Sequence, residues 1–532
     1  ILCSSLAPGS YIIRCYEQKT VTSSGNFLNA STMPVNVFDG KNSTYWATSQ
    51  APSWISIQFA NQGYPIHKYA IICGNDTQAA PSSWTLQGSN DDVKWTFLDS
   101  QYNQTFAAKL LKRIYEIQNK NSFKFYRISI SSTQKINYVL MITEIQLFEV
   151  GPKLPWLLGP FQKQDQINPI LKTRSDDPWL CPVKKQNVLW EDYALYNPGV
   201  IVKDQKVHIF YRAQDKNLTS RIGYAISSDG LICNRTDKPI FYPDNDFMNM
   251  FEWPGGTEDP RIVEGPDFYV LTYTSYDGTT ARLSVAISKD LKVWTKRGLA
   301  FQVAKNGKYV NTWSKSGSII TKLENGKILA TKINGSYWMY WGESNIYIAK
   351  STDLVNWDPV EDENQQLSIA LKPRQHLFDS TLVEPGPPAL LTNEGIVLIY
   401  NGKNSASEGD PFLVEATYAA GQALFDAKNP GKLLERTQQY FLYPDQPYEI
   451  FGQVNQVCFV EGLAYIKNKL MLYYGTADSL LAVAVSNYSQ FNPWIIIGIV
   501  FGVIAITAII IVIWLTNKRK KAVETEKLME NE

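Results

Sequence analysis

Acids, basic residues and aromatics recur together at a few points in the chain. They are Tyr211-Arg212-Ala213, Glu258-Asp259-Pro260-Arg261, Lys315, Trp341-Gly342-Glu343, Phe378-Asp379-Ser380, Glu384-Pro385-Gly386 and Gly475-Thr476-Ala477-Asp478. Such residues suit glycosyl transfer. A carboxylic acid protonates the leaving oxygen, and an inverting hydrolase needs a second carboxylate to activate water. The competing reading of any single acid is a turn cap, since Asp is common in turns. The three His (His67, His208 and His376) are far apart and no CxxC occurs. A multi-His metal site, a His-driven triad and a zinc ribbon are therefore not expected, and neither a metal nor a cofactor is predicted.

These acids need elements that bring distant segments together. The 532 residues allow about three domains. The net charge of +1 argues against nucleic acid as a partner. Aromatics reach 13 % against 19 % charged residues, which fits a packed chain rich in strands. Short strand-like runs separated by Gly, Pro, Asn and Asp dominate before residue 480, so the fold class is all-β. Ser228-Asp229-Gly230-Leu231, Ser288-Lys289-Asp290-Leu291 and Ser351-Thr352-Asp353-Leu354 repeat at intervals of 61 and 63 residues. A unit of about 62 residues holds four short strands, one propeller blade. Residues 155–487 then make a five-bladed β-propeller, whose inner strands bring polar groups into one central site.

Ahead of it, Gly151-Pro152-Lys153-Leu154-Pro155 reads as a boundary. Residues 26–150 alternate, as in Trp54-Ile55-Ser56-Ile57 and Phe125-Tyr126-Arg127-Ile128, which predicts a β-sandwich after an N-terminal segment, 1–25. The ordered set Phe38-Asp39-Gly40, Thr44-Tyr45-Trp46, Pro81-Ser82-Ser83-Trp84, Gly88-Ser89-Asn90-Asp91, Trp95, Tyr126-Arg127 and Thr143-Glu144-Ile145 resembles the discoidin, or coagulation factor 5/8 type C, domain. The resemblance implies a jelly-roll-like sandwich that binds a glycan or another surface ligand through loops at one end.

Asn168-Pro169-Ile170-Leu171, Tyr196-Asn197-Pro198, Glu258-Asp259-Pro260-Arg261, Pro447-Tyr448-Glu449 and Tyr473-Tyr474-Gly475-Thr476-Ala477-Asp478 together resemble glycoside hydrolase family 130, the β-mannoside phosphorylases and β-mannosidases. The resemblance spans about residues 160–485. It implies inversion without a metal, with Asp259 as the general acid acting through a sugar hydroxyl. It also implies substrate or anion contacts from Arg212 and Arg261, and a grip on the non-reducing mannose by Asp478. Lys315 falls where phosphorylases bind phosphate. Where those enzymes carry a His-Arg pair, this chain reads Tyr337-Trp338-Met339-Tyr340-Trp341-Gly342-Glu343. Losing two cations and gaining a carboxylate disfavours a bound dianion. Glu343 becomes the candidate base, with Asp379 and Glu384 as rivals; Asp379 is also a candidate substrate ligand.

Trp494 to Leu515 is an apolar run broken only by Thr507 and followed by Lys518-Arg519-Lys520-Lys521. This predicts a transmembrane helix over 494–515 and a cytoplasmic tail over 516–532, with the rest outside the plasma membrane as a single-pass type I protein. Eight Asn-x-Ser/Thr sequons precede the run, and the first residue is Ile, as after signal-peptide removal or in a fragment. The six Cys leave their pairing open. The leading expectation is a membrane-anchored, exo-acting β-mannoside hydrolase with a glycan- or surface-binding module. A phosphorylase of the same family and a non-catalytic lectin or adhesin are the alternatives.

Overall fold

The computed structural model describes residues 11–13, 19–24, 28–60, 62–150, 154–176 and 178–487, together with Trp514, Thr516 and Arg519. The first layer pair is a sandwich of two five-stranded sheets. In the strand Ser53–Phe59 the side chains of Ile55, Ile57 and Phe59 point inward while Trp54 and Gln58 are half-exposed. Ile55 lies opposite Ile128 and Ile57 opposite Tyr126 on the strand Phe125–Thr133. This alternation lets one face bury its apolar groups. Trp84 donates its Nε1–H to the Tyr69 hydroxyl at 2.9 Å, and that hydroxyl donates to Asp99 at 2.7 Å, so the buried aromatics keep their polar ends satisfied. Strands Tyr11–Ile13 and Lys19–Ser23 also pair into the sandwich, one in each sheet. The segment set apart in the sequence as 1–25 thus supplies two of its strands.

Five blades follow. Blade I is Ala194–Lys203, Lys206–Gln214, Ser220–Ser227 and Asn234–Arg235. Blade II is Gly256–Glu264, Tyr269–Tyr276, Ala281–Ser288 and Thr295–Leu299. Blade III has a broken inner strand, Ser318–Ile319 and Thr321–Glu324, and continues through Ser336–Trp341 and Ile346–Ser351 to Asp358–Pro359. Blade IV runs from Leu382–Pro385 through Ile396–Lys403 and Tyr418–Phe425 to Leu433–Arg436. Blade V, Cys458–Ile466, Lys469–Thr476 and Leu480–Asn487, takes its outer strand from Gln162–Lys163, which closes the ring. Lys163 fixes that closure from a half-buried position, with Asp445 and Glu449 each 2.6 Å from its ammonium.

The sequence repeat is the turn between third and fourth strands. Ser288 Oγ accepts the Leu291 N–H at 2.9 Å, while Asp290 Oδ1 accepts from Lys292 and Val293 at 2.8 and 2.9 Å. Ser227 with Asp229 and Ser351 with Asp353 do the same. Short polar side chains here replace the strand ladder where it ends.

The sandwich is seated on blades IV and V. Tyr443 donates to the Lys112 carbonyl at 3.2 Å and Asn42 to the Pro411 carbonyl at 2.6 Å. Lys112 is buried between the rings of Phe148 and Tyr440, 5.8 and 5.4 Å from their centroids, and Ile450 joins the sandwich core. Residues up to Asn487 form one compact unit.

One part of the expected fold needs correction. The described residues are all-β apart from short helical turns, and no helix among them is long and apolar enough to cross a membrane. The transmembrane helix is therefore not part of this fold. Its span, 494–515, lies outside the described residues except for Trp514; hydropathy marks an apolar segment without fixing the element it forms. Among the described cysteines, Cys73, Cys181, Cys233 and Cys458 are all unpaired.

Candidate active site

The inner strands begin at one end of the propeller, and the acids and cations gather there. A β-bulge interrupts the inner strand of blade I between Tyr196 and Pro198, of blade II between Glu258 and Arg261, and of blade V between Val460 and Gly462. Bulges re-aim side chains that a regular pleat would send to alternate faces. Asn197 and Asp259 take φ values of 48°, the left-handed region in which a non-glycine residue is uncommon. Gly199 lets blade I pass over the second bulge, since a Cβ there would lie 2.1 Å from the Pro260 carbonyl oxygen. Asp478 sits in the three-residue hairpin loop of residues 477–479, in which Ala477 and Asp478 have φ of 47° and 48°. Glu343 projects from another hairpin, between Gly342 at φ 113° and Ser344 at φ 71°.

Arg212 joins the first two blades. Its Nη1 donates to Asp259 Oδ1 at 3.1 Å, its Nη2 to Glu258 Oε1 at 2.6 Å, and its Nε to Ser220 Oγ at 3.0 Å. Asn197 adds a 2.9 Å hydrogen bond to Asp259 Oδ1. Lys315, from the segment entering blade III, stands 3.7 Å from Asp259 Oδ2 and 3.9 Å from Glu384 Oε1. Ser316 donates to the same Glu384 oxygen. Arg261 is wholly buried and directs its Nε and Nη2 to the carbonyls of Gly386 and Pro385, both at 2.8 Å, with Glu461 at 3.6 Å. Trp313 donates its indole N–H to Glu343 Oε2 at 2.7 Å.

Burial and charge sort the acids. Burial works to raise the Asp259 carboxyl, but Arg212, Lys315 and the Asn197 hydrogen bond hold it well below the usual range. Burial pushes Glu384 up to about 7 against the pull of Lys315, and nearby Glu343 adds to the rise. Burial also lifts Asp478 to about 6, opposed by Arg212. Burial would lower the Lys315 ammonium, yet the surrounding carboxylates hold it above its ordinary value.

Arg212, Asp259, Lys315, Glu343 and Asp478 thus share one electrostatic neighbourhood, with Arg261 beneath it. Asp379 does not join them. Its fully buried carboxylate meets Arg374 at 2.7 Å, Arg436 at 2.5 Å and the Tyr400 hydroxyl at 2.8 Å, inside blade IV. Arg261 also differs from a ligand-facing arginine, since its donors are taken by backbone carbonyls. Sequence reasoning gave no role to Asn197, Ser220, Trp313 or Glu461. Asn197 lay within a quoted motif, and asparagine tolerates positive φ. Glu461 was visible as a lone acid inside the apolar strand Cys458–Ile466.

Residues 161–492 match the family described as beta-1,4-mannooligosaccharide phosphorylase, glycoside hydrolase family 130. Residues 36–128 match the F5/8 type C family described as a NedA-like, galactose-binding domain. The chain is 30 % identical over 326 residues to a 1,2-beta-oligomannan phosphorylase of Thermoanaerobacter sp. (strain X514), covering 59 % of this chain and 96 % of that one. It is similar to the crystal structure of a putative glycoside hydrolase from Bacteroides ovatus ATCC 8483, with 47 % identity, a TM-score of 0.62, and coverage of 63 % and 98 %. A further solved structure, at 45 % identity and a TM-score of 0.62, covers 63 % of this chain and 96 % of its own. It is reported as "The GH130 family of mannoside phosphorylases contains glycoside hydrolases that target beta-1,2 mannosidic linkages in Candida mannan".

Proposed function

Given that the chain belongs to glycoside hydrolase family 130, whose enzymes act on β-mannosidic linkages, we propose that it hydrolyses β-mannosides with inversion, β-1,2 linkages foremost. One observation carries the choice of water over phosphate: the site's cations are already matched. Arg212 faces Glu258 and Asp259, Lys315 faces Asp259 and Glu384, and Arg261 faces Glu461. A phosphate dianion entering beside Glu343 would meet its carboxylate with no unmatched cation to offset it. At about 4 Å that repulsion is on the order of several kcal/mol near a protein surface.

The residues divide the work as follows. Asp478 and Arg212 hold the non-reducing mannose. Asp259 passes a proton to the leaving oxygen through a sugar hydroxyl, and Glu343 takes a proton from the attacking water. Glu384 stays protonated up to about pH 7 and so keeps a second negative charge away from Glu343. Burial favours the proton on Glu384 and Asp478, while Arg212 and Lys315 disfavour it on Asp259, so the form with Asp259 protonated is a minority one. The sandwich adds a glycan- or surface-binding module seated against blades IV and V.

Phosphorolysis is the second reading. Lys315 and the phosphorylase names of the curated relatives favour it. Incubation with β-1,2-mannobiose over a phosphate titration separates the two. Hydrolysis gives free mannose at a rate independent of phosphate, and Glu343→Gln abolishes it. Mannose 1-phosphate formed only with phosphate would refute the proposal.

A further inference from the structure

Trp313 has no part in the chemistry above. It lies between the outermost strand of blade II and the innermost strand of blade III, and it remains 48 % exposed. A large aromatic left open beside a polar site is informative in a way that a scattered surface leucine is not.

Its segment is pinned on both sides. Arg282 Nη2 donates to Asn311 Oδ1 at 3.2 Å. The Ser314 N–H donates to the Ala281 carbonyl at 3.0 Å, and the Leu283 N–H donates to Ser314 Oγ at 3.0 Å. The Gly342 N–H donates to the Lys315 carbonyl at 2.9 Å, which ties the segment to the Glu343 hairpin. The indole packs edge-to-face on Tyr276, with centroids 6.4 Å apart. From this fixed position its N–H reaches Glu343 Oε2 at 2.7 Å.

Two consequences follow. The hydrogen bond holds one carboxylate oxygen and leaves Oε1 for water, with the carboxylate plane set by a donor whose chain segment is pinned on both sides. The exposed indole face offers an apolar surface to the C–H face of a pyranose, next to the group that would activate the water.

We infer that Trp313 is a positioning residue for Glu343 and also the stacking platform for a pyranose ring at the mouth of the site. The positioning half rests on Glu343 as the base; the platform half does not.

The test uses the whole chain with β-1,2-mannobiose and three variants whose thermal transitions are measured first. Trp313→Phe keeps a ring and removes the donor. Its kcat should fall about tenfold, as expected for one lost hydrogen bond to a charged group, with KM unchanged within about twofold. Trp313→Leu removes the ring as well, and KM should rise about fivefold on top of the kcat loss. Unchanged kcat in Trp313→Phe would overturn the positioning half, and equal effects of Phe and Leu on both constants would overturn the platform half. Glu343→Gln separates the levels. If it is inactive, a silent Trp313→Phe counts against the positioning half alone; if it turns over normally, the base assignment itself fails. Fluorescence titration with β-1,2-mannobiose tests the platform without turnover. The wild-type response should be lost in Trp313→Leu, and an identical response in both would overturn it.

Discussion

Replacing Glu384 by Gln tests the electrostatics of the site without relying on activity. Glu384 is fully buried, and its carboxyl is raised from an ordinary 4.5 to about 7. Because the folded value lies above the unfolded one, the stabilisation is complete below about pH 4.5 and is lost as pH rises through about 7. At 1.36 kcal/mol per pH unit, the loss between pH 4.5 and pH 8 is about 3 kcal/mol. Gln is neutral throughout and lacks this loss. The unit of roughly 480 residues up to Asn487 has an unfolding entropy of about 1 kcal/mol/K. The difference in Tm, variant minus wild type, should therefore grow by about 3 °C between pH 4.5 and pH 8. Differential scanning calorimetry at the two pH values reads it directly. Other buried acids such as Glu252 and Glu449 titrate in both proteins and cancel in the comparison. A flat difference, or one that shrinks with pH, would mean that Lys315 outweighs burial and that Glu384 is an ordinary carboxylate.

Asp259→Asn should lower turnover at least a thousandfold while mannobiose binding, followed by calorimetry, stays within about threefold, because the loss falls on proton delivery. Asp379→Asn should behave differently: it strands Arg374 and Arg436 inside blade IV and destabilises by about 3–5 kcal/mol, with KM unchanged in the folded fraction. Lys163→Met leaves Asp445 and Glu449 unpaired at the ring closure, and a loss of about 3–5 kcal/mol should appear as a Tm several degrees lower. The pH profile of kcat/KM should decline above about 7, where Glu384 ionises beside Glu343. A profile level to pH 9 would contradict that role.

The propeller could be counted from sequence because its repeat is a physical device. Ser and Asp close the same turn in blades I, II and III. Blade IV keeps only the acid, with Asp426 capping Lys428 and Asn429, and blade V borrows its outer strand from Gln162–Lys163. Neither of these carries the full signature, so the count rested on spacing. The sandwich core was legible in alternation, as at Ile55 and Ile57. Its seating on blades IV and V was not, because Tyr443, Lys112 and Ile450 carry no pattern that names a partner.

The site was legible where a motif bound residue type to backbone. Glu258-Asp259-Pro260-Arg261 is both the bulge and the charge pair of blade II, and both of its acids meet Arg212. Asp379 was drawn into the candidate set because an acid between Phe and Ser looks like the others. The basic partners that take it into the interior, Arg374 and Arg436, lie on neighbouring segments and show only in three dimensions. The apolar run over 494–515 shows the opposite limit, since hydropathy describes a segment but not the elements it packs against.

The most direct test is proton NMR of the whole chain acting on β-1,2-mannobiose in phosphate-free buffer. The account predicts that α-mannose appears first from the non-reducing unit, and that added phosphate changes neither the rate nor the product. No reaction until phosphate is added, with α-mannose 1-phosphate as the product, would contradict it.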